Sequence, residues 1–374
     1  MTTDASHDSA VEALRAARLR AQGLVTPFGS PADAIERLVC VQAQDLAAAK
    51  WVLGARVRDS SEASIDAAIE GRLLLRSWPM RGTLHFVDPV MLRPILRLAS
   101  PRVRMRSAKM ERDEGIDEQV LATVRGIAVA LLEGGRSATR DELQAAWSAA
   151  GVSTTGQRGY HLIWLLASEG LLCNGPIETR ARQRFVLLDE WSPAGASDLG
   201  DDEALARLFA GYARGHGPVS ARDFAWWTGL TLTQARAAVD LAGGAVTAWD
   251  DERFVAADAP STGGSASGHH VLAPFDEYFL GYGDRSAFCS PDDALRVVPG
   301  KNGLFLPILV RDGEVVGTWR RSPERRAGTT VTLAPFLAGC ELDGFRPALD
   351  RWAAFWSARL AGVEVEPTEV GPTA

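Results

Sequence analysis

The chain has 374 residues, a hydrophobic fraction of 46% and a formal net charge of -7. A chain of this length exceeds one ordinary hydrophobic core, which predicts several folding units. Charged residues or glycines interrupt every apolar run before it reaches the roughly 18 residues of a spanning helix, so an integral membrane protein is excluded. The acidic balance provides no general attraction to nucleic acid.

The N-terminal segment and the cysteines predict a cytoplasmic protein. Residues 1–20 lack the basic start and the apolar centre of a secretory signal. The cysteines have no CxxC spacing and no neighbouring histidine, so we expect them to be reduced and buried, with no zinc site, no disulfide framework and no cofactor. They are Cys40, Cys173, Cys289 and Cys340.

The first predicted unit consists of helices followed by a hairpin. Ser30 caps a helix that is predicted to continue to Gln42, because serine suits the N-cap and Pro31 the first helical position. Further helices are predicted over residues 47–57 and 64–71, and a hairpin over residues 73–88. Gln42-Ala43-Gln44 is therefore expected in a connection between two helices, facing outward toward whatever this unit binds.

Alternation along the hairpin predicts two faces with different roles. One face is apolar and is expected to be core: Trp78, Met80, Leu84 and Phe86. The other face carries a cation, a hydroxyl and an imidazole, which suit a phosphate or a flipped nucleotide: Arg81, Thr83 and His85. The alternative for His85 is an ordinary surface histidine with satisfied hydrogen bonds.

Two similar units follow, each with a helix, a second helix and a hairpin. Thr139 and Glu142 form a capping-box pattern, and Ser220 and Asp223 repeat it 81 residues later. A period of this length suits tandem small domains rather than a solenoid. Helix, turn, helix and hairpin in this order are typical of a winged helix, whose second helix can enter a DNA groove.

The last part of the chain is predicted to be rich in β-structure. Strand-like runs begin near His269 and are separated by turns, of which Asp312-Gly313 marks a tight hairpin. We expect a small antiparallel sheet or a partial barrel, closed by a last helix over residues 345–362. Residues 261–268, STGGSASG, are predicted to be a flexible linker before it.

Basic residues cluster in three places despite the acidic balance. The clusters fall within residues 102–112, 180–184 and 320–326. One interpretation is a set of solvated helix faces and hairpin edges. The other is a basic cleft, because phosphate contacts depend on the local field rather than on the total charge.

Four separated motifs carry a resemblance to a known family. VQAQDL, RGTLH, APFDEYFLGYGDRS and VVGTWRR occur in this order, and together they resemble the winged-helix DNA-binding family that contains the AlkZ and YcaQ DNA glycosylases. The resemblance covers residues from about Leu14 to about Ala361. The family's motif of glutamine, apolar residue and glutamine falls on Gln42, Ala43 and Gln44, with alanine as a small middle residue.

The resemblance implies an α+β fold, mainly α, with three tandem winged-helix domains in a C-shaped arrangement and a β-rich C-terminal part. We expect domains over residues 8–116, 117–198 and 199–260, and a barrel-like domain with a terminal helix over residues 261–374. It also implies a monomeric DNA repair or genotoxin-resistance glycosylase acting on double-stranded DNA that contains alkylated purines, some of them in interstrand crosslinks.

The chemistry of two carboxamides is consistent with such a substrate. Cleavage of an N-glycosidic bond produces a sugar cation, which the enzyme stabilises while it delivers water. Gln42 and Gln44 cannot deprotonate the water, but they can orient it and place carbonyl dipoles near the positive charge. This suffices when an N3- or N7-alkylated purine leaves as a neutral base. Since no nucleophilic lysine adjoins the motif, simple hydrolysis without strand cleavage is expected.

Asp45, next to the motif, has two interpretations. Its carboxylate supports the reaction as a base or as an electrostatic stabiliser if it reaches the site. Its place before DLAAAKWVL favours the second interpretation, in which it caps the following helix.

DNA contacts are predicted at two places. Arg81, Thr83 and His85 are expected near the catalytic cleft, and Trp319, Arg320 and Arg321 on a C-terminal hairpin that faces DNA. Core packing is the alternative for Trp319, since most tryptophans bury much of their surface. An internal salt-bridge network is expected for four residues of the third motif: Asp276, Glu277, Asp284 and Arg285.

Two functions without catalysis compete with the glycosylase. One is a winged-helix DNA-binding or regulatory protein, and the other is a resistance protein that sequesters a DNA-damaging compound. Simple winged-helix regulators pair by symmetry to read repeated half-sites. Three units in one chain fit a clamp around a single lesion better than a reader of palindromes.

Overall fold

A computed structural model of the protein describes residues 2–192, 199–259, 267–300, 303–323, 327–337 and 339–367. Most of the linker predicted over residues 261–268 lies outside these ranges, as do Arg325 and Arg326 of the last basic cluster. The fold mixes helices with three sheets. No described helix has the length and apolar character needed to cross a bilayer.

The helices are α1 (Thr2–Ala21), α2 (Pro31–Leu38), α3 (Leu46–Gly54), α4 (Glu62–Glu70), α5 (Pro89–Asp113), α6 (Glu118–Leu132), α7 (Arg140–Ala149), α8 (Arg158–Ser168), α9 (Leu188–Trp191), α10 (Asp201–His216), α11 (Ala221–Thr228), α12 (Leu232–Ala242), α13 (Glu277–Leu280), α14 (Pro291–Val297) and α15 (Arg346–Phe355). The strands are β1 (Cys40–Gln42), β2 (Leu75–Met80), β3 (Thr83–Val87), β4 (Leu172–Thr179), β5 (Arg182–Leu187), β6 (Val219–Ser220), β7 (Val246–Ala248), β8 (Arg253–Ala256), β9 (His269–Val271), β10 (Ile308–Arg311), β11 (Glu314–Arg321), β12 (Thr329–Pro335) and β13 (Leu360–Val365).

Three segments share one order of elements, in which helices are followed by a hairpin. The first runs from α2 to β3, the second from α6 to β5, and the third from α10 to β8. The predicted capping boxes are confirmed at Thr139 with Glu142 and at Ser220 with Asp223. These reciprocal hydrogen bonds satisfy backbone N–H groups that a helix start leaves unpaired, which is why α7 and α11 begin where they do.

The helix predicted from Ser30 to Gln42 is too long by four residues. Ser30 caps it as expected, but α2 ends at Leu38, and Val39 turns the chain at φ 64°. Residues 40–42 then form β1, which pairs antiparallel with β3. The edge of β3 supplies the hydrogen bonds, and the β-branched Val41 suits a strand better than a helix.

Two cores lie on either side of the first hairpin. The larger core includes residues from α1 to α15 and joins the first segment, the third segment and the C-terminal part, together with Cys173 and Val186 of the second segment. The smaller core belongs to the second segment and takes in Trp78 and Leu84 from the hairpin. The sheet order β1-β3-β2-β4-β5 connects the two, but β2 and β4 pair only at Arg76 and Asn174. The predicted domain boundaries remain a prediction.

The C-terminal part forms a five-stranded sheet in the order β13-β12-β11-β10-β9. The expected hairpin at Asp312-Gly313 is confirmed, with both residues at positive φ. The expected antiparallel pairing is confirmed from β9 to β12, whereas β13, which follows α15, pairs parallel with β12. The segment APFDEYFLGYGDRS is not a strand either: Asp276 caps the short helix α13 within it.

Candidate active site

Strand pairing places Gln42 beside the first hairpin. Gln42 lies opposite His85 in the ladder between β1 and β3, and His85 lies opposite Ser77 on β2. Directly opposed residues of antiparallel strands point their side chains to the same face. The motif therefore shares a sheet face with the polar side of the hairpin, although Gln42 ends a strand and does not lie in an open turn between helices.

Gln42 is nearly buried, contrary to the expectation that it faces outward. It is 9% exposed, and its backbone N–H donates to Glu277 Oε1 at 3.1 Å. Its carboxamide makes no hydrogen bond to any residue that the structure describes. A nearly buried amide that has no partner in the described part of the chain is available to a water molecule or to a substrate.

Gln44 is exposed and its side chain folds back onto β3. The backbone N–H of Leu84 donates to Gln44 Oε1 at 3.2 Å, and Ala43 N–H donates to Leu84 O at 2.7 Å. A backbone N–H can only donate, so the amide NH₂ of Gln44 points away from the strand. The two glutamines can therefore act differently. Gln42 can use both its carbonyl oxygen and its NH₂ group, whereas Gln44 can use mainly its NH₂ group.

Arg76 holds the turn between the two glutamines. Its Nε and Nη2 donate to Ala43 O at 2.9 and 2.8 Å, and its Nη1 donates to Gln183 Oε1 at 3.2 Å. Burial lowers the pKa of Arg76 to about 10, which still leaves it charged at neutral pH. Sequence analysis missed this residue, because the only local signal was an arginine within an apolar run.

A pocket of about 250 Å³ opens beside Arg76, between the first and second segments. Leu84 and Gln183 line it together with two aromatic side chains, Trp78 and Tyr160. The pocket lies next to the β3 residue that anchors Gln44. The motif therefore borders a concave surface.

Asp45 caps α3, as expected. Its Oδ1 accepts the backbone N–H of Ala48 at 3.0 Å, and the side chain is exposed. The carboxylate is thereby committed to the helix start, where it also interacts favourably with the helix dipole.

The polar residues of the hairpin form a connected group. Nδ1 of His85 donates to Thr83 O at 2.8 Å, so the unprotonated Nε2 accepts from Arg81 Nη2 at 3.1 Å. His85 is fully buried, and burial together with the charge of Arg81 lowers its pKa to about 3. The surface-histidine alternative is therefore wrong. His85 is a neutral imidazole held by its neighbours.

The four apolar side chains of the hairpin are all buried, as expected. They divide between two cores. The register shift between Ser77 and Met80 places Met80 opposite Thr83 of the polar face, so the expectation that Met80 shares a face with Trp78 is wrong. Trp78 and Leu84 pack in the smaller core, whereas Met80 and Phe86 pack in the larger one.

Glu277 is the acidic residue that reaches the motif. It is fully buried, and besides Gln42 it accepts from Trp227 Nε1 at 3.0 Å and His216 Nε2 at 3.2 Å through Oε2. Burial alone would raise the pKa of Glu277, but the hydrogen bond from His216 and the charge of Arg81 outweigh burial and lower it. Sequence analysis placed Glu277 in a salt-bridge network and missed its contact with Gln42.

That predicted network divides into separate contacts. Asp276 forms a buried bidentate ion pair with Arg56. Asp284 is exposed, whereas Arg285 donates to Phe279 O and lies over the ring of Trp226. Ion-pair contacts are therefore made by Asp276 with Arg56 and by Glu277 with His216, and not among the four residues themselves.

The C-terminal residues predicted to contact DNA differ from one another in exposure. Trp319 is 6% exposed, donates to Leu272 O at 2.9 Å and packs edge-on against Trp352, as in the core-packing alternative. The indole is unavailable to DNA in this conformation. Arg320 and Arg321 are exposed on the same strand, and Arg320 pairs with Glu366.

The remaining sequence predictions on metals and thiols can be compared with the described residues. Among these, no group of three or more histidine, cysteine, aspartate or glutamate side chains is arranged to hold a metal ion. All four cysteines are free thiols. Three are buried as expected, whereas Cys340 is partly exposed.

The fold is that of a known DNA glycosylase. The solved structure of Streptomyces sahachiroi DNA glycosylase AlkZ superposes with a TM-score of 0.79, covering 95% of this chain and 99% of that one at 22% identity. A curated relative, the interstrand DNA cross-link repair glycosylase of Streptomyces sahachiroi, is 25% identical over 309 residues, which are 78% of this chain and 82% of the relative.

The model of one family, described as DNA glycosylase AlkZ-like, matches residues 35–355. The chain therefore belongs to the AlkZ-like family of DNA glycosylases. The match begins in α2 and ends in α15, so it contains Gln42, Gln44, the first hairpin and Glu277.

Proposed function

We propose that this DNA glycosylase hydrolyses the N-glycosidic bond of purines that carry a positive charge from alkylation at N7 or N3. Gln42 and Gln44 are its catalytic residues, and no strand cleavage accompanies base release. The observation that carries the proposal is the nearly buried carboxamide of Gln42, which has no hydrogen-bond partner among the described residues and lies next to the fixed amide of Gln44.

The geometry supports a particular division of labour. The Gln42 amide can both accept from and donate to a water molecule, so it can direct a water lone pair toward the sugar carbon C1′. The Gln44 NH₂ can hold the same water or a substrate oxygen from the exposed side. Neither amide is a base, so the attacking water loses its proton to solvent after the carbon–oxygen bond forms.

Because two neutral amides provide neither a general acid nor a general base, they restrict the class of substrate. An uncharged purine would leave as an anion and would need protonation, which neither glutamine can supply. An N7- or N3-alkylated purine takes the electron pair of the breaking bond and leaves as a neutral base. The enzyme then has to stabilise only the sugar cation, which is a task for fixed dipoles and charges.

DNA is held, in this proposal, by three tandem winged-helix domains in a C-shaped arrangement, corresponding to the three helix-and-hairpin segments. Arg81 and Thr83 are assigned to this surface because both residues are partly exposed on the first hairpin. Arg320 and Arg321 extend the surface from the C-terminal part. The protein acts as a monomer on double-stranded DNA.

Base release tests the proposal directly. Duplex DNA with one N7-methylguanine is incubated with the wild type, with Gln42→Ala and with Gln44→Ala, and abasic sites are converted to strand breaks by mild alkali. Gln119→Ala, an exposed glutamine on α6, is the matched control. We expect a loss of about 100-fold or more for Gln42→Ala, a smaller loss for Gln44→Ala and no change for the control, in line with the loss of a transition-state dipole.

Two outcomes would overturn the proposal. The first is no base release by the wild type, which would favour a DNA-binding protein without catalysis. The second is equal release by the wild type and both glutamine variants. A parallel assay with a duplex crosslinked through two N7-alkylguanines tests whether the open surface beside Gln44 also accepts bulky adducts, as the name of the Streptomyces sahachiroi relative implies for that protein.

A further inference from the structure

A buried carboxylate lies directly behind the proposed catalytic amide. Glu277 Oε1 accepts the backbone N–H of Gln42, and both side-chain oxygens are held by donors from three different parts of the chain. The side chain is fully buried. The motif is thus anchored to α13, more than two hundred residues later in the chain, through a charged group.

Packing and hydrogen bonding alone do not explain why residue 277 carries a negative charge. Glu277 forms an ion-pair contact with His216 and with no lysine or arginine among the described residues. Burying a carboxylate without such a partner is costly, whereas a glutamine of the same shape would avoid the cost. Costly buried charges that persist beside a cleft are often functional.

The surroundings keep Glu277 in its charged form. Every hydrogen bond to its carboxylate comes from an N–H donor: the backbone of Gln42, the indole of Trp227 and Nε2 of His216. A protonated carboxyl would present its O–H to one of these donors. The pKa of Glu277 is accordingly lowered, despite burial.

We propose that Glu277 supplies the fixed negative charge that stabilises the deoxyribosyl cation formed beside Gln42. The inference rests on the proposed glycosylase function and names the group that the two neutral amides lack. Glu277 is a positioning and electrostatic residue, because its carboxylate is fully buried and contacts the backbone of Gln42. Asp45 does not fill this role, since its carboxylate caps α3 on the exposed side.

The step balances without a further reactant. The bond between C1′ and the purine nitrogen breaks, and its electron pair leaves with the base, which becomes neutral. The positive charge moves to C1′ and the ring oxygen, within the field of Glu277. Water held by Gln42 then forms the new C1′–O bond and releases its proton to solvent, so Glu277 takes up no proton.

Glu277→Gln tests the charge, and Asp276→Asn is its matched control. Both variants change a fully buried carboxylate to an amide, in adjacent residues, but Asp276 contacts Arg56 rather than the motif. Single-turnover base release from N7-methylguanine DNA is measured at a temperature at which both variants are folded, together with affinity for a duplex containing an abasic site. Glu277→Asp is the conservative variant.

We expect Glu277→Gln to lower the single-turnover rate about 50-fold with unchanged DNA affinity, as for the loss of one charge at short range in a partly desolvated site. Asp276→Asn should stay within about fivefold of the wild-type rate, and Glu277→Asp should recover most of the loss. Equal rates for Glu277→Gln and Asp276→Asn would overturn the inference alone. No base release by the wild type would overturn the proposed function and the inference together.

Discussion

Asp276→Asn should destabilise the protein strongly, because it unbalances a buried ion pair that joins the two ends of the larger core. Asp276 accepts from Arg56 Nη1 and Nη2 at 3.0 and 2.7 Å, and neither side chain is exposed. Asparagine keeps the acceptor oxygen that caps Tyr278, but its NH₂ group cannot accept from the guanidinium. Arg56 then carries a buried charge without a countercharge.

The size of the destabilisation depends on the hydrogen-bond acceptors that Arg56 keeps in the variant. Breaking a buried pair by removing one partner costs about 3–5 kcal/mol. Arg56 keeps two other acceptors, Val52 O at 2.8 Å and Gln22 Oε1 at 2.7 Å, so the lower end of that range applies. We therefore expect a loss of about 3 kcal/mol in the free energy of unfolding.

Urea unfolding followed by tryptophan fluorescence measures this loss. Asp350→Asn is the control, since Asp350 pairs with Arg346 one helical turn away, with side chains 53% and 62% exposed. That change should cost roughly 0.5 kcal/mol or less. A difference of less than about 1 kcal/mol between the two variants would refute the argument that the buried pair depends on both charges.

Two further predictions concern pH and DNA affinity. The unfolded state binds a proton at His85 near its ordinary pKa of 6.5, whereas the folded state does so only near 3. Stability should therefore fall as pH is lowered through this window, by up to ~1.4 kcal/mol per pH unit from this group, and His85→Phe should flatten the urea-measured slope by that amount. An unchanged slope would contradict the burial of a neutral imidazole. The Arg320→Glu/Arg321→Glu variant should bind duplex DNA at least about tenfold more weakly at low salt, with wild-type melting temperature, because both residues are exposed. Equal affinity would remove them from the interface.

The helix starts and the hairpins were predictable because their determinants are local. Thr139 and Glu142 lie three residues apart and bond to each other, so a short window contains the whole cap. The tight turn at Asp312-Gly313 likewise depends on two residues that accept positive φ. Contacts between residues only a few positions apart can therefore be predicted from a short stretch of sequence.

The site itself depends on contacts that no short window contains. β1 has three residues, and its partner β3 lies about 40 residues later. The apolar run at residues 38–41 was therefore predicted as part of a helix, since a short apolar run does not by itself distinguish a helix from a strand. The contact between Gln42 and Glu277 spans 235 residues. Alternation placed His85 correctly on the polar face of the hairpin, but it contained no information on what covers that face.

The pairing of β2 with β4 has a mechanical consequence. Arg76 lies on β2, the strand of the first segment that borders β4 of the second segment. Its side chain donates to Gln183 of the second segment and to Ala43 O. The two segments also share packing at this seam, since the larger core includes Cys173 and Val186 of the second segment and the smaller core includes Trp78 and Leu84 of the first hairpin. A shift of the second segment relative to the first would therefore act on the same guanidinium that holds the peptide between Gln42 and Gln44.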